Sequence, residues 1–343
     1  MCNGETDSRM IQTLSVCPST LAEGYTSFSP RALSRLFDGR KVSHVLPYDN
    51  PLSEATVDVL QRTGSGRISL SGVQTKFSML IVDGTLQFAS EGMQGRFILK
   101  PAPTSWHIFA REYCPANEHL TMQIAEQVYG IPTAVNALCF FENGEPAYLT
   151  RRFDVLPDGR KCAMEDFASL GGFTRTNGGS DFKYCNASYE ECADLIHRYV
   201  KASPVELLKF FRLVVFNYLI SNDDAHLKNF SLVERAPGDY VLSPAYDLMN
   251  TMLHLSQPRI FALEKGLFRE GGSLDVTQRA DRSSFLQFGL RIDLPGNLVE
   301  RELDRFATSQ PQVLALVHRS FLSESLKQLY IQSFEFRRST LQH

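Results

Sequence analysis

No C-x-x-C pair occurs in this chain, and its seven cysteines (Cys2, Cys17, Cys114, Cys139, Cys162, Cys185 and Cys192) are odd in number and scattered. That argues against a disulfide frame or a cysteine zinc site and points to reduced thiols in a cytoplasmic compartment. No basic stretch followed by an apolar run opens the N-terminus, so a signal peptide is not expected. The longest apolar run, 213–220, is too short to span a bilayer, and no membrane association is expected. Basic residues are not in excess: 35 Lys and Arg stand against 38 Asp and Glu, a formal net charge of −3. A surface that coats nucleic acid is therefore not expected, though a DNA-binding partner remains compatible. There is no internal repeat and no low-complexity tract.

What is present is an ordinary globular composition, 43% hydrophobic and 21% charged over 343 residues. A chain of this size usually divides into lobes. The spacing predicts helices over 31–37 and 52–62, then a Gly/Ser-rich stretch, TGSGRISLSG, over 63–72. KFSMLIV and TLQFA flank Asp83-Gly84 and read as a hairpin. RFILKP (96–101) is a short strand that ends in Lys100. A helix is expected over 117–132, where Leu120, Ile124 and Val128 recur and Gly130 and Pro132 stop it. VNALCFF and PAYLTRRF follow as strands around Asn143-Gly144. GGFTRTNGG (171–179) reads as a mobile loop.

SPVELLKFFRLVVFNYLI (203–220) reads as a buried helix, with Ser203 and Glu206 as a capping box and Pro204 at its first position. FSLV and YVLSP form a further hairpin around an APGD turn. Helix-period patterns fill 297–307 and 312–331.

Between the buried helix and that hairpin lies SNDDAHLKNF (221–230). Asp224 and Asn229 are spaced D-x-x-x-x-N, and Asp247 follows after the hairpin. Phosphoryl transfer needs these parts: a carboxylate that takes the proton of the attacking hydroxyl, and oxygen ligands that hold Mg²⁺ against phosphates. SGVQTK (71–76) supplies backbone that can approach phosphate, Lys100 a cation, and Glu118 a possible partner for that lysine. The order of the parts is that of a two-lobed, protein-kinase-like α/β fold: a small β-rich lobe over 1–155 and a larger, mainly helical lobe over 156–343. Each part alone has a plainer reading as a turn, a cap or a surface charge. His226 with Asp223, Asp224 and another His could instead form a metal site.

The segments SLSGVQTK, FILKP, NEH, RRFD, EDF, NDDAHLKNF and AYDL together resemble those of HipA-type toxin serine/threonine kinases, over about 64–330. The chain begins close to the phosphate loop and so looks like the short HipT form, whose missing small subdomain is the separate protein HipS, encoded beside the DNA-binding HipB. The resemblance implies ATP and Mg²⁺ as cofactors and Asp224 as the catalytic aspartate. It implies Asn229 and Asp247 as metal ligands. For ATP binding it implies Ser71, Gly72, Val73, Gln74, Thr75 and Lys76 in the phosphate loop, with Lys100, His226, Leu227, Lys228, Asn229, Tyr246 and Asp247. Arg151, Arg152 and Phe153 stand at the adenine hinge, where Arg151 departs from the acidic residue often found there. Ser69, with Ser71, stands at the autophosphorylated position. The implied partners are HipS-like and HipB-like antitoxins. The implied substrate is an aminoacyl-tRNA synthetase, tryptophanyl sooner than glutamyl, whose modification arrests growth. A small-molecule kinase, a secreted effector kinase, a degenerate binding module and a metal-dependent hydrolase are the rival readings.

Overall fold

The computed structural model describes residues 14–52, 74–90, 92–156, 158–256, 258–270 and 280–342. The expected helix over 52–62 lies almost wholly outside them, as do Ser69, Ser71, Gly72 and Val73.

The N-terminal part holds a helix, α1 (Pro30–Phe37), and five antiparallel strands: β1 (Phe77–Val82), β2 (Thr85–Phe88), β3 (Phe97–Pro101), β4 (Asn136–Phe140) and β5 (Pro146–Arg151). Their order in the sheet is β2-β1-β3-β5-β4. The β1–β2 hairpin turns at Asp83 and Gly84, both with positive φ, as the Asp-Gly pair predicts. Between β3 and β4 runs α2 (Cys114–Gln127), which begins three residues before and ends five residues before the range read from the sequence. Pro115 in its first turn suits an N-terminus, and Gly130 at φ 59° reverses the chain beyond its end.

The C-terminal part holds a second sheet, β6 (Met164–Asp166), β7 (Ser231–Ala236) and β8 (Asp239–Leu242), in the order β6-β7-β8. Its helices are α3 (Phe167–Leu170), α4 (Arg175–Gly178), α5 (Tyr189–Tyr199), α6 (Ser203–Leu219), α7 (Arg282–Arg291), α8 (Gly296–Ala307), α9 (Pro311–Arg319) and α10 (Glu324–Thr340).

Three local expectations change. The proposed capping box of α6 does not form: the helix begins at Ser203 itself, and Glu206 is drawn into tertiary bonds. One carboxylate oxygen accepts from the Leu242 N–H of β8 at 3.0 Å, and the other pairs with Lys209 at 2.7 Å. The glycine-rich 171–179 segment is not simply a loop, because Thr174 and Asn177 cap the short helix α4. The pattern over 312–331 is two helices, broken where the Ser320 hydroxyl bonds back to the Val317 carbonyl and Ser323 caps α10.

Among the described residues, two large apolar clusters organise the fold, with a small third one at Ile108, Cys114 and Met249. One, with Phe37, Met79, Phe97, Leu99 and Phe141, fills the space between α1 and the five-stranded sheet. The larger is built on α6 and the helices around it. It also takes in Leu120, Ile124 and Ala125 of α2, so α2 is packed into the helical body. The fold is a mixed α/β architecture with a curled antiparallel sheet beside a helical portion. Among the described residues no helix is long and apolar enough to cross a membrane. The six described cysteines are free thiols.

Candidate functional site

A cleft of about 680 Å³ is lined by residues of β3, α2, β5, β6 and the 226–247 region. Lys100, near the end of β3, points into it and is almost completely buried. An unpaired ammonium in such a place would be strongly unfavourable. Lys100 is instead held by Glu118 of α2, at 2.6 Å, and by the carboxylate of Asp247. Lys76 approaches the other oxygen of Asp247 at 3.5 Å. Segments 147 positions apart thus meet on one charge cluster.

The electrostatics of the cluster follow from burial opposed by charge. Burial would lower the Lys100 pKa, but Asp247 and Glu118 together raise it above the ordinary value. Burial would raise Asp247, yet Lys100 and Lys76 hold it well below the usual carboxylate range. Burial dominates at Glu118, which shares its lysine, and pushes it up to about 7. Its second carboxylate oxygen is buried and finds no partner among the described residues.

Asp247 is set by backbone. The strand-like contact of Thr133 with Ala245, with Ala134 N–H to Ala245 carbonyl at 2.9 Å and Ala245 N–H to Pro132 carbonyl at 2.8 Å, moors the chain two residues before it. Asp247 itself adopts left-handed backbone, φ 55°, uncommon for a residue other than glycine and a local strain that surrounding contacts must hold.

Asp224 lies beside this cluster, in a small cavity that it shares with Lys100, Glu118, Asn229, Asp247 and Met249. A phenol, two amide side chains and backbone bond to it. Tyr184 donates to Oδ1 at 2.5 Å, the Asp224 N–H donates to Asn222 Oδ1 at 3.1 Å, and the Asn229 amide donates to the Asp224 carbonyl at 2.9 Å. That last bond leaves the Asn229 amide oxygen as the atom to take a ligand. His226 is buried edge-on to Tyr184, with ring centroids 5.1 Å apart. Burial lowers it to about 4, against the pull of Asp224, so the ring is neutral near pH 7. Neither ring nitrogen finds a partner among the described residues.

The remaining sequence candidates divide. Gln74, Lys76, Lys228 and Tyr246 line the cleft; the Tyr246 hydroxyl donates to the Lys228 carbonyl at 2.9 Å, and Lys228 reaches Asp166 at 3.3 Å. Arg152 and Phe153 also line it, Arg152 paired with Asp154 and Phe153 ring-to-ring with Tyr246 at 5.7 Å. Arg151 lies at the wall, but its guanidinium is committed elsewhere, to the Arg35 and Leu36 carbonyls and to Asp38. Leu227 is a core residue and does not line the cleft, and neither does Thr75. Asp223 turns away from Asp224: its Oδ2 accepts the Arg259 N–H at 2.8 Å, and its own N–H donates to Thr251. The alternative metal cluster of His226, Asp223 and Asp224 does not form; among the described residues no group of three or more His, Cys, Asp or Glu side chains is placed to hold an ion.

Sequence reasoning missed Lys183, Tyr184, Asp154, Glu165 and Asp166. Lys183 and the three acids line the cleft, and Tyr184 touches Asp224. EDF holds Glu165 and Asp166 and RRFD holds Asp154, both familiar segments, but nothing periodic marks Lys183-Tyr184.

A sequence model of the HipA-like C-terminal domain matches residues 68–314, well over half of the chain. The chain belongs to the HipA-like C-terminal domain family. Its curated relatives include a Haemophilus influenzae protein named "Putative kinase", 27% identical over 330 residues, which are 91% of this HipA-like chain and 88% of that protein. "Putative kinase Y4dM" of Sinorhizobium fredii is 30% identical over 275 residues, 74% of this chain and 62% of that protein. Among solved structures, a chain of the Shewanella oneidensis HipA, HipB and operator DNA complex superposes with a TM-score of 0.61 at 22% identity, covering 80% of this chain and 65% of that one. The Helicobacter pylori proinflammatory kinase CtkA gives 0.52 at 14% identity, covering 88% and 95%. The HipA-like chain therefore spans less than two thirds of the Sinorhizobium and Shewanella chains. At these identities the two structural likenesses establish the fold, which is that of HipA and CtkA.

Proposed function

We propose that this protein is an ATP- and Mg²⁺-dependent serine/threonine protein kinase. The observation that carries the reading is the convergence of Lys100, Glu118, Asp247, Asn229 and Asp224 on one small cavity beside the cleft, from chain segments far apart in sequence. Two relatives carry kinase in their names, which supports the same class of activity.

The residues fit the groups the reaction needs. A cleft of about 680 Å³ is of the size that takes a nucleotide. His226 and Glu118 line the cleft beside Lys76, Lys100 and Lys228, a polar lining that suits a phosphate-bearing ligand. The Asn229 amide oxygen and the Asp247 carboxylate are hard donors, the type magnesium prefers. With nucleotide and ion bound, Mg²⁺ would supply charge neutralisation at the phosphates.

The roles of the chain's own groups follow. Lys100, kept protonated by its two carboxylates, offers a cation to phosphate oxygens, and Glu118 fixes its position. Lys76 and Gln74 border the same space. Arg152, Phe153 and Tyr246 line the face where a flat base would lie. Asp224 orients the acceptor hydroxyl and takes its proton. The division into a small lobe ending near residue 155 and a helical lobe beyond it is part of the same reading, with ATP between them.

The finer assignments rest on the family. They are a toxin role, HipS-like and HipB-like antitoxin partners, an aminoacyl-tRNA synthetase substrate (tryptophanyl sooner than glutamyl) and a cytoplasmic site of action. The Shewanella neighbour was solved with HipB and operator DNA, which supports antitoxin partners here. Autophosphorylation at Ser69 or Ser71, outside the described residues, would place up to two negative charges in the segment meant for ATP phosphates and so oppose nucleotide.

The test is labelled ATP incubated with cell extract, wild type beside Asp224→Asn. Protein bands that appear with wild type and vanish with the variant are the expected result. No labelled protein, or identical bands from both, overturns the reading.

A further inference from the structure

We propose that Tyr184 is a positioning residue that fixes the Asp224 carboxylate for proton transfer. The inference rests on the reading of Asp224 as the group that takes the acceptor proton.

Tyr184 enters from a segment that no motif marked, between the glycine-rich stretch and α5. It is buried, and its backbone is fastened on several sides. Its N–H donates to the Asp181 carbonyl at 2.8 Å, and its carbonyl accepts the Glu264 N–H at 2.9 Å. The neighbouring Lys183 carbonyl accepts the Leu227 N–H at 3.1 Å, which ties the segment directly to the loop that carries Asp224. Asn186, in left-handed backbone at φ 55°, turns the chain and donates its N–H to Glu264. The ring is packed edge-on against His226. A phenol held this firmly has one direction in which to point, and its hydroxyl meets Asp224 Oδ1 at 2.5 Å.

The chemistry gives that contact a purpose. A base must lie within hydrogen-bonding reach of the proton it takes, and an aspartate carboxylate left alone rotates about its last bond. Fixing one oxygen fixes the carboxylate plane, and hence where the other oxygen points. The Asp224 backbone is held as well: Asn222 takes its N–H, while the Asn229 amide and the His226 N–H bind its carbonyl. Tyr184 acts on the side chain itself, through Oδ1. An O–H donated to a carboxylate is of the charge-assisted kind. Tyr184 keeps its own proton throughout; the acceptor's proton goes to Asp224.

The experiment measures protein labelling from Mg-ATP for wild type, Tyr184→Phe, Asp224→Asn and the double variant. Tyr184→Phe keeps the ring and removes the hydroxyl. Its rate at saturating ATP should fall roughly tenfold or more, with KM for ATP unchanged, because only a contact to the base is lost. Added to Asp224→Asn, the same change should do nothing further, since the group it acts through is already gone. An unaltered rate in Tyr184→Phe overturns the proposal. So does an equal fractional loss on both backgrounds, which would mean a merely structural role. If Tyr184→Phe does not fold, 3-fluorotyrosine at position 184 keeps the shape and alters the O–H; a changed rate with unchanged KM supports the proposal, and an unchanged rate overturns it. A wild type that labels no protein sinks the kinase reading and the proposal with it. An active wild type beside an equally active Tyr184→Phe sinks the positioning role alone.

Discussion

Two neighbouring clusters border the cleft, and they are held by opposite means. Lys100, Glu118 and Asp247 are joined by charge, brought together from β3, α2 and the turn after β8. Asp224, Asn229 and His226 lie within six residues of one another and are held by amide, phenol and backbone hydrogen bonds. A cluster made of formal charges rearranges when another charge arrives, because its partners can be exchanged. A cluster tied through backbone and a buried phenol resists such change. This suits one to receiving phosphates and an ion, and the other to keeping a base in a fixed place whether or not nucleotide is present.

The difference can be broken from either side. The largest effect is expected from Asp224→Asn, which preserves shape and removes basicity. Transfer should fall by about 10²–10⁴-fold, with thermal stability close to wild type. Steady-state labelling and a melting curve check both halves.

Lys100→Met attacks the other cluster and should act through stability as well as activity. It leaves Glu118 and Asp247 facing each other without their shared cation, a change of the kind that costs about 3–5 kcal/mol. Urea unfolding measures it. The hydrogen-bonded cluster should show no comparable loss on Asn229→Ala.

The clusters should also respond to pH with opposite sign. Glu118 has its folded pKa raised to about 7, so between the ordinary carboxylate value of 4.5 and 7 the folded state binds the extra proton. Its contribution to stability therefore falls as pH rises through that window. His226 is lowered to about 4 from 6.5, so the unfolded chain binds the extra proton, and stability is lost as pH falls below 6.5. Urea midpoints at pH 5 and pH 7 should separate them. Glu118→Gln should make stability rise more steeply with pH than in wild type, and His226→Asn less steeply.

The smallest effect is expected at Arg151→Ala. Its guanidinium bonds to α1 carbonyls and to Asp38. Stability should fall by about 1 kcal/mol, with ATP affinity unchanged by calorimetry.

These two clusters also mark how far the sequence could be read. Local signals were legible: Asp83-Gly84 specified its turn, and the apolar run of α6 specified a buried helix. Lys100, Glu118 and Asp247 could be named because their order along the chain, with the Gly/Ser-rich stretch and D-x-x-x-x-N, is that of a kinase-like fold, although each alone reads more plainly. What stayed hidden depended on contacts between segments distant in sequence. Glu206 looked like a cap, but Leu242 and Lys209 claim it. The spacing to Asn229 picked out Asp224 from Asp223, but not that Asp223 is turned away to take the Arg259 N–H. Tyr184 reaches Asp224 from 40 residues away, from a stretch with no helical or strand period. Leu227 sits inside a functional-looking motif but belongs to the core, because a turn between two site residues must still bury something.

The central claim is that the charged cluster receives a nucleotide and its ion. Calorimetric titration of ATP into the protein, with magnesium and then with magnesium chelated, tests it most directly. The account predicts a single site whose affinity depends on magnesium and is weakened in Asp247→Asn. No binding heat, or the same affinity in all three titrations, would contradict it.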